Sequence, residues 1–378
     1  MSIRASFEIV SSADRLGRLR RRWSELCDNA IDPNPFYRPE LLLPALRGGL
    51  VKRPLRFVVV YSSADKSTLA GMFPFELHTS SWRRPFTMLR PATHRFCFMH
   101  GAPVREEQVE HCLVGLTCAL EKFLPTHVTQ LLDLTAGSAL VKLLETRSEL
   151  CTLGYTSDSR PALRLGNPMQ PELGVRREYD SKWAKLSRLG ELRVECATDR
   201  DPQFRSRLEA FLDLEHSGWK GRNGSSMQTA GFRRDYFEAA IQPRTNSRRL
   251  TVESLLLNDV PIAIQINLSE RRDGLMHFGF KSAYDVTYSK YSPGAMLLNE
   301  QRKRFHESQA VELFDSCTNE NTAARRIWPD RLTPIRYLLA PNSLAARVLF
   351  GAIRQWRAAQ SVNWSHRGEL AARLRGSA

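Results

Sequence analysis

Phe57–Tyr61 is an unbroken apolar run, FVVVY, followed by the polar stretch SSADKS and then by LAGMFPFEL. Short apolar runs bounded by turn residues read as buried strands. These two predict a hairpin, Phe57–Tyr61 with Leu69–Leu77, turning at Ala64-Asp65-Lys66. Upstream, the pattern predicts a strand over Ser6–Val10 and a basic helix from about Ala13 to Asn29. Pro33 and Pro35 break the chain, and a further helix starts near Pro39. Downstream, Val109, Leu113, Leu116 and Leu120 recur at helical spacing within 106–123. A short strand over Leu131–Leu134 and a short helix over Ala139–Leu144 follow.

The second half returns to the same order. A basic helix covers 176–189, a strand Leu192–Glu195, and a helix runs from Pro202 to about His216. After a glycine-rich turn comes a helix through Asp235 to Ile241. Arg249–Leu257 and Ile262–Leu268 predict a second hairpin, with Asn258-Asp259 at its tip. Leu275–Lys281 reads as a strand, Pro293 to about His306 as a helix, and Val311–Asp315 as a strand. A tail from Ser343 to Arg375 is helical and rich in arginine. No residue-level repeat is visible. The shared order predicts an α/β protein with mixed sheets, built as two similar units side by side. The expected division is 1–170, 171–340 and a basic helical tail, 341–378.

A chain of 378 residues fits two domains. Its 55 Lys+Arg against 40 Asp+Glu give a net charge of +15, a field that attracts polyanions, acidic lipid surfaces or phosphate-rich cofactors. The charge is spread along the chain, which disfavours a dedicated nucleic-acid binder. The seven cysteines are irregularly spaced and include no CxxC, so a zinc ribbon has no support and no metal is expected. The start, MSIRASFEIV, lacks the apolar core of a signal peptide, and no stretch is apolar for long enough to span a bilayer. The expectation is a cytoplasmic protein with reduced thiols.

Two stretches carry candidate chemistry. YDVTYSKYSPGAMLL, 284–298, sets Ser292-Pro293-Gly294 between a strand and a helix. A helix start offers free N–H groups to phosphate, and glycine lets a ligand approach the backbone. LEHSGWKGRNGSS, 214–226, crowds Glu215, Trp219 and Lys220 among Gly218, Gly221 and Gly224. A carboxylate beside an indole wall has its pKa raised, which suits a general base. For each stretch a plain surface loop is the competing reading.

Taken in order, LEHSGWKGRNGSS, AYDVTYSKYSPGAML and FDSCTNENTAARRIWPDR resemble the CelD (BcsL-like) acetyltransferase family of the GNAT superfamily. The resemblance is clear over 175–335 and fainter over 1–165. It implies a GNAT-like fold in the second half, a related one in the first, and acetyl-CoA or another acyl-CoA as co-substrate. The acyl-CoA would lie where the strand Leu275–Lys281 parts from its neighbour. The phosphate-facing turn would be Lys290, Tyr291, Ser292, Pro293 and Gly294, with one glycine where the superfamily usually has two or more.

The expected catalytic residues are Glu215, Tyr284 and Asp315; Trp219, Lys220, Gly221 and Asp285 are expected on the substrate. Tyr288 is a further candidate, and Cys317 is a weak nucleophile candidate because only a distant His306 could serve it. The implied activity is acyl-CoA-dependent N- or O-acyl transfer to a small or saccharide-linked acceptor by direct attack. The alternatives are an aminoacyl or peptidyl transferase with a tRNA-bound donor, and a non-catalytic accessory in polysaccharide biosynthesis. Nucleic acid is a partner only under the first alternative. The basic tail is a possible peripheral membrane contact.

Overall fold

A computed structural model describes residues 5–355, apart from 80–85, 123–127, 168–172, 230, 243–247, 272–273 and 319–321. In the first half the elements are β1 (Ser6–Val10), α1 (Ala13–Arg18), α2 (Arg20–Asp28), α3 (Pro39–Arg47), β2 (Phe57–Tyr61), β3 (Leu69–Phe73), β4 (Phe75–His78), β5 (Met88–Pro91), α4 (Val109–Lys122), β6 (Val128–Leu134), α5 (Ala139–Thr146), β7 (Leu150–Thr156) and β8 (Arg160–Arg164). The second half has α6 (Leu173–Leu186), β9 (Leu192–Thr198), α7 (Phe204–Ser217), α8 (Trp219–Arg222), α9 (Gly231–Ile241), β10 (Arg248–Leu257), β11 (Val260–Arg271), β12 (Leu275–Tyr284), α10 (Pro293–Ser308), β13 (Val311–Asp315), α11 (Ala323–Ile327), β14 (Asp330–Leu332) and β15 (Ile335–Pro341).

The hairpins form where alternation and turn residues predict them. β10 and β11 turn at Asn258 and Asp259, both in the left-handed region, where these side chains are tolerated best. Pro74 cannot donate a ladder bond, so the strand over 69–77 splits there. β3 stays with β1 and β2, and β4 leads a second sheet.

The second sheet runs β4-β5-β6-β15-β7, and the third runs β14-β8-β13-β12-β11-β10-β9. Among the described residues, each half contains one parallel pair joined through an α-helix, β5–β6 through α4 and β12–β13 through α10. A parallel pair needs such a crossover. The halves also exchange strands. β8, from the first half, lies between β13 and β14; β15, from the second, lies between β6 and β7.

One apolar core crosses the junction. It joins Phe36, Tyr37 and Phe96 to Phe211, Phe237, Phe278 and Phe280. Phe96 stacks on Tyr236 at 5.2 Å between ring centroids. The buried Arg38 guanidinium reaches across to Glu270, 2.7 Å from Nε to Oε1. A buried pair is strongly destabilising when one partner is removed, so this contact fixes the junction more than it adds net stability.

Residues 344–355 are helical, and Ala346 and Phe350 pack on Val128, Leu338 and Ala340. The rest of the expected basic tail lies outside the described residues. Among the described residues, no helix is long and apolar enough to cross a membrane.

Candidate functional site

β12 and β13 are hydrogen-bonded from Leu275↔Val311 to Phe278↔Asp315. Beyond that point β12 runs on to Tyr284 while the other chain turns away through Ser316 and Cys317. Close approach at the fork demands Gly279, because a Cβ there would lie 2.5 Å from the Ser316 carbonyl oxygen. Cys317 takes a left-handed backbone, φ 51°, and its N–H is held by Asp315 Oδ1 at 2.8 Å. The fork opens a cavity of about 330 Å³, walled by Phe98 of the first half, Gln265, Phe280, Lys281, Ala283 and Leu297 among others.

A second cavity, of about 370 Å³, continues past the start of α10 and is lined by Lys182, Ser292, Gly294 and Arg326. Tyr284, Gly294, Ala295 and Ala323 line both, so the two form one groove with an apolar and a basic end.

Ser292 stands at the helix start in the left-handed region, φ 56°, and its hydroxyl accepts a 3.1 Å bond from Lys182 Nζ. Its carbonyl takes the N–H groups of Ala295 and Met296, both at 3.0 Å. The Gly294 N–H makes neither of those bonds. A Cβ at Gly294 would meet only Tyr284 Cδ1, at 3.6 Å. The position is open toward the groove, and the first turn of α10 carries no acidic residue. Such a helix start suits a phosphate.

Residues 174–323 match a family model described as "Acetyltransferase (GNAT) domain". Among solved structures, the C-terminal domain (DUF2156) of an Agrobacterium fabrum protein assigned as a lysylphosphatidylglycerol synthetase is 11% identical, with TM-score 0.50 over 89% of this chain and 96% of that one. L-PGS from Bacillus licheniformis is 12% identical, with TM-score 0.48 over 89% and 95%. A tandem GNAT protein from the clavulanic acid biosynthesis pathway is 12% identical, with TM-score 0.38 over 89% and 100%. At these identities the likeness concerns the fold. No curated protein matches the sequence.

The segment 174–323 is therefore similar to a GNAT acetyltransferase domain.

The chain is a mixed α/β protein, and the match makes the segment 174–323 GNAT-like, which points to a transferase. The three quoted motifs fall around the groove in different ways. Tyr284, Ser292, Pro293 and Gly294 line it. Lys290 is exposed and lies over the Tyr291 ring, 5.0 Å from its centroid. Tyr291 and Tyr288 pack against the core under α10. Asp285 caps the short turn after β12, its Oδ1 accepting from Thr287 N–H at 2.8 Å. Asp315 is buried at the fork and paired with Arg160 of β8, 2.9 Å from Nη2 to Oδ2. Burial raises its pKa even against that arginine.

Glu215 is fully buried at the end of α7. Oε1 takes Lys220 Nζ at 3.0 Å and Lys281 Nζ at 3.5 Å, while Oε2 accepts the Met227 N–H at 2.8 Å. The expected direction of its pKa is reversed. Burial alone would raise it, but Lys281, Lys220 and the Met227 N–H outweigh burial and hold the carboxyl below its ordinary value. Gly221 is a packing glycine, since a Cβ there would run into the His216 carbonyl. The Trp219 side chain lies outside the described residues, and so does the wall expected of it.

Sequence reasoning missed Lys281. It is the ammonium that burial penalises here, pushed down to about 8 against the pull of Glu215, with Lys220 and Arg95 adding to the fall. Its Nζ lies 4.6 Å over the Phe96 ring, and it lines the apolar cavity. The available signal was a lysine directly after the apolar run of the strand, beside the buried Phe280. The Cys317 thiol is pushed well up by burial and by Asp315, so it holds its proton at neutral pH. Among the described residues, no group of three His, Cys, Asp or Glu is placed to hold a metal ion.

Proposed function

We propose that the protein transfers an acyl group from acyl-CoA to an acceptor amine or hydroxyl by direct attack, within the groove between β12 and β13. The observation that carries this reading is the parting of the parallel pair β12–β13 after Phe278↔Asp315, with an apolar cavity on one side of the α10 start and a basic one on the other. An acyl-pantetheine arm suits the first and a pyrophosphate suits the second, where Lys182, Arg326 and the Gly294 backbone meet. β12 beyond Phe278 has left its ladder with β13 and can bond an extended arm.

Acyl transfer needs the acceptor to lose a proton. Lys281 suits this task better than Glu215. A group near pH 8 is partly neutral at physiological pH, whereas a carboxylate held below its usual range is a poor proton acceptor. In this reading Glu215 positions Lys281 and stays ionised. Tyr284, at the junction of the two cavities, contacts the donor or protonates the leaving thiolate. The finer resemblance to the CelD-like family, stated on the same three motifs, fits this reading without naming an acceptor.

Calorimetric titration with acetyl-CoA tests it. Wild-type protein is expected to bind one equivalent, and Gly294→Val, which fills the approach to the backbone, to bind at least about tenfold more weakly with unchanged melting. No heat with acetyl-CoA overturns the donor assignment. RNA co-purifying with the protein in that case points to an aminoacyl-tRNA donor.

A further inference from the structure

Resting on the reading of this groove as the place of acyl transfer, we propose that the acceptor carries an anionic group, a phosphate or a carboxylate, seated against Arg95, Lys220 and Arg233 where the two halves meet. Four cations gather there around one carboxylate. Lys220 and Lys281 share a single oxygen of Glu215, and its other oxygen is already committed to the Met227 N–H. Arg95 and Lys281 lie on the same Phe96 ring, 5.4 Å and 4.6 Å from its centroid. Arg233 is fixed by its Nη1, which donates to the carbonyls of Gly224 and Ser226 at 2.7 and 3.2 Å.

Lys220 is tied down twice, to Glu215 and to the carbonyl of Ser282, a residue of the cavity wall. Lys220, Lys281 and Arg233 are therefore held in place, Lys281 in the cavity wall and Lys220 against it. Like charges held together beside a low-dielectric wall cost free energy, which an incoming anion offsets. Burial is the main cause that lowers the proton affinity of Lys281 and of Arg233; Arg95 adds to the fall at both, and Glu215 opposes it at both. Arg95 comes from the first half and is exposed, while Lys220 and Arg233 come from the second. An anion seated among them touches both halves and leaves the rest of the acceptor at the mouth beside Lys281. Lys281, as the base, meets the acceptor's nucleophile, and the nearby anion makes it a stronger proton acceptor.

The test uses the full chain saturated with CoA, whose binding is followed separately by calorimetry. Inorganic phosphate and acetate are titrated in separate arms at ionic strength fixed with chloride, and the melting temperature is read. The expected result is a saturable rise with one of the two anions, which also tells phosphate from carboxylate. Arg95→Gln and Arg233→Gln should each weaken it by about tenfold or more. Arg354→Gln, remote from the junction, should leave it intact.

The proposal is overturned if neither anion gives a saturable rise, or if the rise is equal in Arg95→Gln and wild type. It is overturned too if the rise disappears only in Lys182→Gln, since the anion then sits in the donor groove. Failure of CoA to bind in calorimetry, with the phosphate or acetate response intact, counts against the donor assignment and not against the anion seat.

Discussion

The two parallel pairs among the described residues start alike and end differently. In the first half, β5 and β6 pair, among the described residues, at Met88↔Val128 and Leu89↔Thr129, and β6 then runs on past β5 toward Leu134 with β15 along its other edge. The space beside it is taken by the chain itself. His100 N–H is bonded to Asp133 Oδ2 at 2.8 Å, a Cβ on Gly101 would lie 3.2 Å from the Asp133 carbonyl oxygen, and Phe96 and Cys97 are buried. The corresponding helix, α4, is entered through Glu106 and Glu107 and has Glu110 in its first turn. In the second half the equivalent space is open, and α10 begins Pro293-Gly294-Ala295 with no acid. The fold therefore provides two forks, and local sequence decides that one is filled and acidic while the other is hollow and basic-ended. A shared fold does not by itself share function.

The largest expected effect of testing this asymmetry falls on Lys281. Lys281→Gln should lower kcat by roughly 10²–10⁴-fold, the usual worth of a general base, with acetyl-CoA affinity retained. Steady-state kinetics beside calorimetry separates the two. A variant with near wild-type kcat would leave the open fork without a base at this position. Wild-type activity should also rise with pH through about 8, as the amine loses its proton. The stability effect has the same sign. Between about 8 and the ordinary lysine range the unfolded chain binds more protons than the folded one, so stability increases with pH across that window.

The strand exchange makes the halves unequal in chemistry but joined in stability. Arg160 of β8 binds Asp133 of β6 with Nη1 and Asp315 of β13 with Nη2, both at 2.9 Å. Asp133, raised by burial but lowered more by His100 and Arg160, sits at about 2. Arg160→Ala leaves two buried carboxylates without their shared cation and should cost about 3–5 kcal/mol in urea unfolding at pH 7. Because Asp315 lies at the fork, acetyl-CoA affinity should fall as well. Loss of stability confined to less than about 1 kcal/mol would mean that the exchanged strand is a passive edge.

Much of this was legible in the pattern of the chain. Helices with apolar faces at helical spacing and hairpins bounded by turn residues appear where they were expected: β13 with the predicted bounds, α10 two residues longer at its end, and β12 three residues longer. The exchanged strands were not read. β8 is RPALR and β15 is IRYLLAP. Five to seven residues containing proline carry no clear alternation, and their burial comes from partners far away in sequence. The same limit hid Lys281, whose shift depends on Glu215, Lys220, Arg95 and a ring from the other half. Ser292–Gly294 could be read because a helix-start turn is a local feature. The direction of the Glu215 shift could not, since it depends on which residues arrive around it.

A smaller effect should come from Glu215→Gln. Its charge holds the Lys281 proton on, so removing it should move the rise in activity to lower pH by about one unit or more. The melting temperature should fall, because Lys220 and Lys281 lose their counter-charge. A pH profile that keeps its midpoint would separate Lys281 from the titrating group.

The smallest expected effect is a null that tests why the first fork is closed. Two causes are present there, the acids before and within the first turn of α4 and the chain segment packed along β6. Replacing Glu106, Glu107 and Glu110 together by Gln removes the first and leaves the second. Glu107 and Glu110 are exposed, and their contacts with Arg105 at 3.7 Å and with Arg147 at 2.5 Å are surface ion pairs worth about 0–1 kcal/mol each. The triple variant should therefore fold normally. Packing cannot be removed by changing charge, so calorimetry should still find one acetyl-CoA per chain, at an affinity within about twofold of wild type, because the open groove lies in the other half and screening is strong beyond roughly 10 Å. If a second equivalent binds, repulsion rather than filling is what keeps the first fork empty, and the first half is then a donor site silenced by three carboxylates.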